Sequence, residues 1–318
     1  MTGHVGVADV RTAAERISPY IRRTPLLHLG RTTRQPLPWD IVLKLESLQV
    51  GGSFKIRGAL NALLSLPRDV VELGVVTASG GNHGLGVACA AHMLGIPAIV
   101  YVPETAPAVK RDRIAAWGAE VRLVGQEYAT AAAAAHDLAE QTGRPYLHAY
   151  ADAPIIAGQG TVALELVEDA GAPALDYLLV AVGGGGLISG MATAVSEMPW
   201  LTVLGIEPEG AATLHAAWQA GHPVDVERLD SYASDSLGAR QVGALNYQLT
   251  RQHVARVELI TDDDIRAAQR FLWQETQVLA EPGGAAALAG LLSGKARVPE
   301  GARVGVLVCG GNAQTLPG

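Results

Sequence analysis

The sequence predicts an α/β protein built on parallel sheet with helices on both faces, and three observations carry that prediction. Short β-branched runs recur along the chain: IVLKLE, GVVTAS, AIVYVP, EVRLVG, YLLVAV, LTVLGIE and RVGVLVC. Alanine-rich stretches of helical length, such as GLGVACAAHMLG and TAAAAAHDLAEQTG, separate them. The strands are nearly continuous in apolar residues and do not alternate, which is the pattern of sheet buried on both faces. The 318 residues are 49% hydrophobic and 17% charged, which fits one large or two modest globular cores and excludes a disordered chain.

Composition also narrows the partners. The net charge of −7 comes without a basic tract, so neither nucleic acid nor an acidic membrane surface is expected as a standing partner. No apolar run is long enough to span a bilayer. The opening MTGHVGVADVRTAAERI lacks a signal-peptide core, and Cys89 and Cys309 are too few for a disulfide framework. A cytoplasmic location is the expectation.

In chain order, the first unusual stretch is LQVGGSFKIRGALNALL, a glycine-bearing loop entering a helix at Lys55. The chain holds four lysines against 20 arginines, and one of the four stands here between Phe54 and Ile56. An amine among apolar residues at a helix start has its pKa depressed by desolvation and by the helix dipole, which favours a neutral nucleophile. A lysine snorkelling from an amphipathic helix would have the same local sequence. Next, TASGGNHGLGVACAAH runs from a strand through small residues into a helix, with Ser79, Asn82 and His83 at its entrance. Free N–H groups there suit a carboxylate, while simple capping by Ser79 or Asn82 is the alternative.

YLLVAVGGGGLISG places four glycines, Gly183 to Gly186, between a buried strand and a helix. Such a turn aims several N–H groups and the helix dipole at one point, as a phosphate cup does. Glu207 ends the following strand and imitates the ribose-binding acid of dinucleotide folds, so a nicotinamide oxidoreductase competes. The spacing G-x-G-x-x-x-G argues against it. The long loop is expected between about Gly221 and Gly238, and Thr261 is expected to cap the helix TDDDIRAAQRFLWQETQ. Two further glycine turns, LAEPGGAAALAG with Glu281 and VGVLVCGGNAQ with Cys309, end apolar stretches where an open sheet places ligands. The nine histidines show no metal-ligand spacing, so no metal is expected.

A phosphate cup, an amine nucleophile and an anion-binding helix start together suggest pyridoxal phosphate. The ordered set GGSFKIRGA, SGGNHG, GQGTVALE, VGGGGL, EPGGAAALA and CGGN closely resembles the serine/threonine dehydratase and serine racemase branch of the fold-type II (tryptophan synthase β-like) enzymes. The resemblance covers nearly the whole chain and implies two open, twisted, mostly parallel sheets flanked by helices. It implies that Lys55 binds the cofactor covalently and that Phe54 packs on its ring. Asn82 would meet the ring oxygen, Gly183, Gly184, Gly185, Gly186 and Leu187 the phosphate, and Glu281 and Cys309 the rest of the ring. Ser79, Gly80, Asn82 and His83 would form the loop that receives the substrate carboxylate.

Departures from the family pattern refine this reading. The racemases carry a second serine after the position of Ser79, as proton donor on the opposite face, and here Gly80 stands there, which favours a dehydratase. Glu207 is kept, but Ala212 and Thr213 replace the acids of the racemase cation site, so no tight magnesium site is expected. The A-D-G segment of the family reads Ser234-Asp235-Ser236. The chain ends after its last strand, so no regulatory domain is expected. The resemblance further implies a large cofactor domain of residues 1–64 and 152–318, a small closing domain of residues 65–151, and a homodimer. The expected activity is elimination on L-threonine or L-serine to a 2-oxo acid and ammonia. The alternatives are threo-3-hydroxyaspartate or another β-hydroxy amino acid as substrate, serine racemisation, the oxidoreductase above, and a non-catalytic amino-acid sensor.

Overall fold

The computed structural model describes residues 4–30, 33, 34, 36–171, 174–313 and 315. Among them nine strands form two sheets: β1 (Leu26–His28), β2 (Asp40–Leu45), β3 (Val75–Ala78), β4 (Ala98–Val102), β5 (Glu120–Leu123), β6 (Tyr177–Ala181), β7 (Thr202–Pro208), β8 (Arg256–Ile260) and β9 (Arg303–Val308). The larger sheet runs β1-β2-β9-β6-β7-β8, parallel throughout except for the β1–β2 pair. The smaller is the parallel set β3-β4-β5.

All seven expected strands are present, within two residues of their expected limits. The two that sequence reading missed are the edges of the large sheet. β1 has three residues, and β8 alternates charge with Val257, Leu259 and Ile260. Charged, short edge strands resist pairing with other chains, and for that reason they lack the apolar run that marks an interior strand. The loop expected between Gly221 and Gly238 carries one short helix, Ser234–Leu237, at its end. Thr261 does cap the helix Asp262–Thr276, in a reciprocal capping box with Asp264.

Three apolar clusters hold these layers. One surrounds the six-stranded sheet and includes Phe54 and Ile156. A second, on one face of the small sheet, includes Ile56, Leu60, Leu147 and Ile155, and a smaller third covers the other face. The chain therefore passes from the first cluster to the second between Phe54 and Ile56, and back between Ile155 and Ile156. Lys55 stands at that seam.

Helix Lys55–Leu64 is brought close to helix Ala153–Ala170 by paired glycines. A Cβ on Gly158 would lie 2.6 Å from the Arg57 carbonyl oxygen, and one on Gly58 2.9 Å from that of Ile155. Gln159 accepts the Gly58 N–H at 3.2 Å. The GQGT stretch thus serves to seat the Lys55 helix. Beneath it lies a buried charge network. Arg57, with no exposed side-chain surface, forks to Glu46 and Glu165 at 2.7–2.8 Å, and Lys44 donates to Glu165 and to the Thr24 carbonyl at 2.8 Å. Burial alone would raise the Glu165 pKa; its hydrogen bonds from Arg57 and Lys44 outweigh that and hold it below the ordinary carboxylate value.

Candidate active site

The two sheets bring the ends of several strands to one narrow cleft. Phe54, Lys55, Asn82, Gly183 to Gly186, Leu187, Glu281 and Cys309 all line it. These are the ten residues expected to hold the cofactor, gathered from five separate stretches of chain.

Lys55 opens the helix Lys55–Leu64. Its Nζ donates to the Ala149 carbonyl at 2.8 Å and stands 5.2 Å from the centre of the Phe54 ring. No carboxylate lies within ion-pair distance of it among the described residues. Burial lowers its pKa to about 8, against the opposing influence of Cys309 and Glu281. A substantial fraction of this amine is neutral at physiological pH, and that fraction is a nucleophile or a base.

The glycine turn faces it. None of the backbone N–H groups from Gly183 to Leu187 has an acceptor among the described residues, although Gly185 to Leu187 are buried. Buried backbone donors are almost always paired, so this row of free N–H groups marks an anion seat. Each glycine is also required sterically. Side chains at Gly184 and Gly186 would strike Tyr150, one at Gly183 would strike the Leu237 backbone, and Gly185 has φ 91°.

A second set of free donors lies at the start of helix Asn82–Leu94, where the N–H groups of Asn82, His83 and Gly84 find no acceptor among the described residues. The Asn82 amide is clamped from both ends. Its Nδ2 donates to Glu281 Oε1 at 2.5 Å, and its Oδ1 accepts from Asn312 Nδ2 at 2.8 Å. One N–H of that amide remains for a ligand. Glu281 is 6% exposed, and burial pushes its pKa up to about 7 despite the hydrogen bond from Asn82. Cys309 donates its S–H to the Gly283 carbonyl at 3.3 Å, and burial pushes the thiol up, so it stays protonated.

The other substrate-loop residues are placed differently. Ser79 Oγ accepts the Gly81 N–H at 3.2 Å, and a side chain at Gly80 would meet Val102 at 2.7 Å. The His83 ring turns inward, with Nε2 3.0 Å from Thr77 Oγ1 and 3.1 Å from the Leu147 carbonyl, and burial lowers its pKa to about 3. His83 therefore offers its backbone N–H to the loop and not its imidazole. Sequence reading missed three residues: Tyr150, which lies on the glycine turn, Ser236, which accepts the Gly283 N–H at 3.1 Å, and Asn312, which fixes Asn82. Asn312 was legible in principle as the last residue of CGGN. Tyr150 belongs to no motif.

Glu207 is not a ribose-binding acid. Its two carboxylate oxygens accept the Leu214 and His215 N–H groups at 2.8 Å each and so cap helix Thr213–Ala220, and burial raises its pKa to about 8. Among the described residues no three His, Cys, Asp or Glu side chains gather as a metal would need. A wider, open depression lies at Asn312, lined also by Arg22, Gln49, Arg113 and Trp117, and holds neither the amine nor the free N–H groups.

A low-pKa amine, a row of unpaired N–H groups and a neutral thiol in one cleft define a site for a phosphorylated aldehyde cofactor. Comparison with known proteins agrees. The model of the pyridoxal-phosphate dependent enzyme family matches residues 17–310, and the chain belongs to that family. It is 39% identical to the phenylserine dehydratase of Ralstonia pickettii over 93% of this chain and 90% of that one. It is 38% identical to the L-threonine ammonia-lyase of Geobacter sulfurreducens over 95% of this chain and 74% of that one. The solved threonine deaminase of T.th. superposes with a TM-score of 0.91 at 36% identity, covering 98% of this chain and all of that one. The protein is a pyridoxal-phosphate dependent lyase of the dehydratase type.

Proposed function

We propose that the protein is a β-hydroxy amino acid ammonia-lyase that eliminates water from L-threonine or L-serine to give a 2-oxo acid and ammonia. The observation that carries this reading is the Lys55 amine, without an ion-pair partner among the described residues and with its pKa near 8, in a cleft with two sets of free N–H groups. The N–H groups of Gly183 to Leu187 would hold the cofactor phosphate, Asn82 the ring oxygen, and Phe54 the ring face. The protonated Cys309 thiol would stand at the ring nitrogen, where a neutral partner favours elimination over transamination. The cofactor supplies an electron sink for the bond broken at the substrate α-carbon. Lys55 would hold the cofactor covalently and, once released, take the α-proton. The helix start at Asn82, with Ser79 and Gly80 before it, would seat the substrate carboxylate.

Residues 65–151 would close on residues 1–64 and 152–318, bringing that helix start over the substrate. The ion pair of Lys110 with Asp235, at 2.8 Å, already spans from one to the other. A homodimer is what the family resemblance implies, and a cytoplasmic location is what the two-cysteine composition leads us to expect; no described helix is long and apolar enough to cross a membrane. Light scattering would read the assembly state. The test of function is 2-oxo acid release from L-threonine, L-serine and threo-3-hydroxyaspartate, with chiral analysis of L-serine for D-serine. Oxo acid from L-threonine or L-serine is expected. D-Serine without oxo acid would replace the dehydratase with a racemase.

A further inference from the structure

A run of glycines has a weakness as a seat for an anion. Glycine takes either sign of φ at little cost, so the peptide unit joining Gly184 to Gly185 can turn over. In each planar trans unit the carbonyl and the following N–H point in opposite directions. Turned over, this unit would put the Gly184 oxygen where the Gly185 N–H now stands without an acceptor, and an anion would meet a like partial charge. The turn keeps its donors in the cleft only if that carbonyl is held behind it.

Asn246 holds it. This residue lies on helix Ala244–His253 and has no exposed surface. Its Nδ2 donates to the Gly184 carbonyl at 2.7 Å and to the Tyr150 carbonyl at 3.0 Å. Both partners can only accept, so the nitrogen of the amide must be the atom that faces them. The Gly243 N–H reaches the same Gly184 oxygen at a longer 3.4 Å. Asn246 is anchored in turn by Ser189, whose Oγ donates to its carbonyl at 3.3 Å from helix Gly186–Ala194, the helix that the turn opens. The amide is placed for its donors alone, because its Oδ1 is buried without a hydrogen-bond partner among the described residues. An unpaired buried acceptor lowers stability, so packing does not account for an asparagine here. The Tyr150 carbonyl follows that of Ala149, which accepts the Lys55 Nζ hydrogen bond. One amide thus ties the glycine turn to the segment that meets the Lys55 amine.

We propose that Asn246 is a positioning residue for the cofactor phosphate, which holds the Gly184 carbonyl behind the turn and so keeps the Gly185 N–H in the cup. It touches neither cofactor nor substrate and acts through the turn. The proposal rests on the reading of Gly183 to Leu187 as the phosphate seat, and the experiment separates the two.

The experiment reloads the full-length chain, stripped of cofactor, with pyridoxal phosphate or with pyridoxal, which offers Lys55 the same aldehyde and ring without the phosphate. Absorbance titration reads both affinities. The parent should prefer pyridoxal phosphate by about a hundredfold or more. In Asn246→Ala and in Asn246→Ser, neither long enough to reach both carbonyls, that preference should fall about tenfold or more, with pyridoxal affinity within about threefold of the parent's. Two variants are made so that one failing to fold leaves the other to decide, and melting curves identify which is folded. A preference kept within about threefold in a folded variant, or an equal loss for both ligands, overturns the role of Asn246. No preference in the parent overturns the phosphate seat itself, and the role of Asn246 with it.

Discussion

Lys44 is fully buried and Lys55 half-buried, and the two are treated in opposite ways. Lys44 has no exposed side-chain surface and meets a carboxylate, Glu165, at 2.8 Å, with Asp169 at 3.7 Å. Lys55 is half-buried, donates to the Ala149 carbonyl, and has no carboxylate within ion-pair distance among the described residues. A buried cation with matched partners is architecture, because its charge is compensated where it sits. A buried amine without them is driven toward its neutral form and becomes available for chemistry. Arg57, two residues beyond Lys55, belongs to the first class, so one helical turn carries both.

The largest effect expected from breaking this contrast is on activity. Lys55→Ala should lower oxo acid release by about 10³-fold or more, since it removes both nucleophile and base. Its melting temperature should stay close to that of the parent, because one hydrogen bond is lost. A variant that keeps a tenth of the activity would refute the role of Lys55. Arg57→Met should do the reverse. It leaves Glu46 buried without its cation, and urea unfolding should report a loss of about 3–5 kcal/mol. A loss below about 1 kcal/mol would mean that the network does not hold the fold together.

The pH dependence sharpens the same comparison. With a pKa near 8, the Lys55 amine is protonated below that value. The rate at which apoprotein captures pyridoxal phosphate should therefore rise about tenfold per pH unit up to about pH 7 and level off above about 8. An amine with an ordinary lysine pKa would continue to gain until about pH 10. The smallest effect belongs to Ser236, whose hydroxyl caps the helix Pro282–Leu292 at Gly283. Ser236→Gly gives the residue that the family resemblance implies at that position, removes this acceptor, and should lower stability by about 0.5–1.5 kcal/mol, read as a shift of the melting temperature.

Much of this was legible in the sequence because the features are local. A strand running into a glycine turn and then a helix is a contiguous pattern, so the turn at Gly183–Leu187 and the helix start at Asn82 could be read directly, and Lys55 stood out by its rarity. The capping of Thr261 by Asp264 lies within four residues. The rest depends on the direction of side chains or on contacts between distant segments. His83 sits in the right motif, yet its ring turns to Leu147, 64 residues away. Asn82 is oriented by Glu281 and Asn312, which are remote in the chain. Glu207 has the position of a ribose ligand, but the helix that follows it takes both of its oxygens.

The central claim is that Lys55, alone among four lysines, is the cofactor-bearing amine. Borohydride reduction of the holoenzyme followed by peptide mass spectrometry tests it directly, because the other sites are limited to Lys44, Lys110 and Lys295. The expected result is a single phosphopyridoxyl group on the peptide containing Lys55. A label on any of the other three, with Lys55 unmodified, would contradict it.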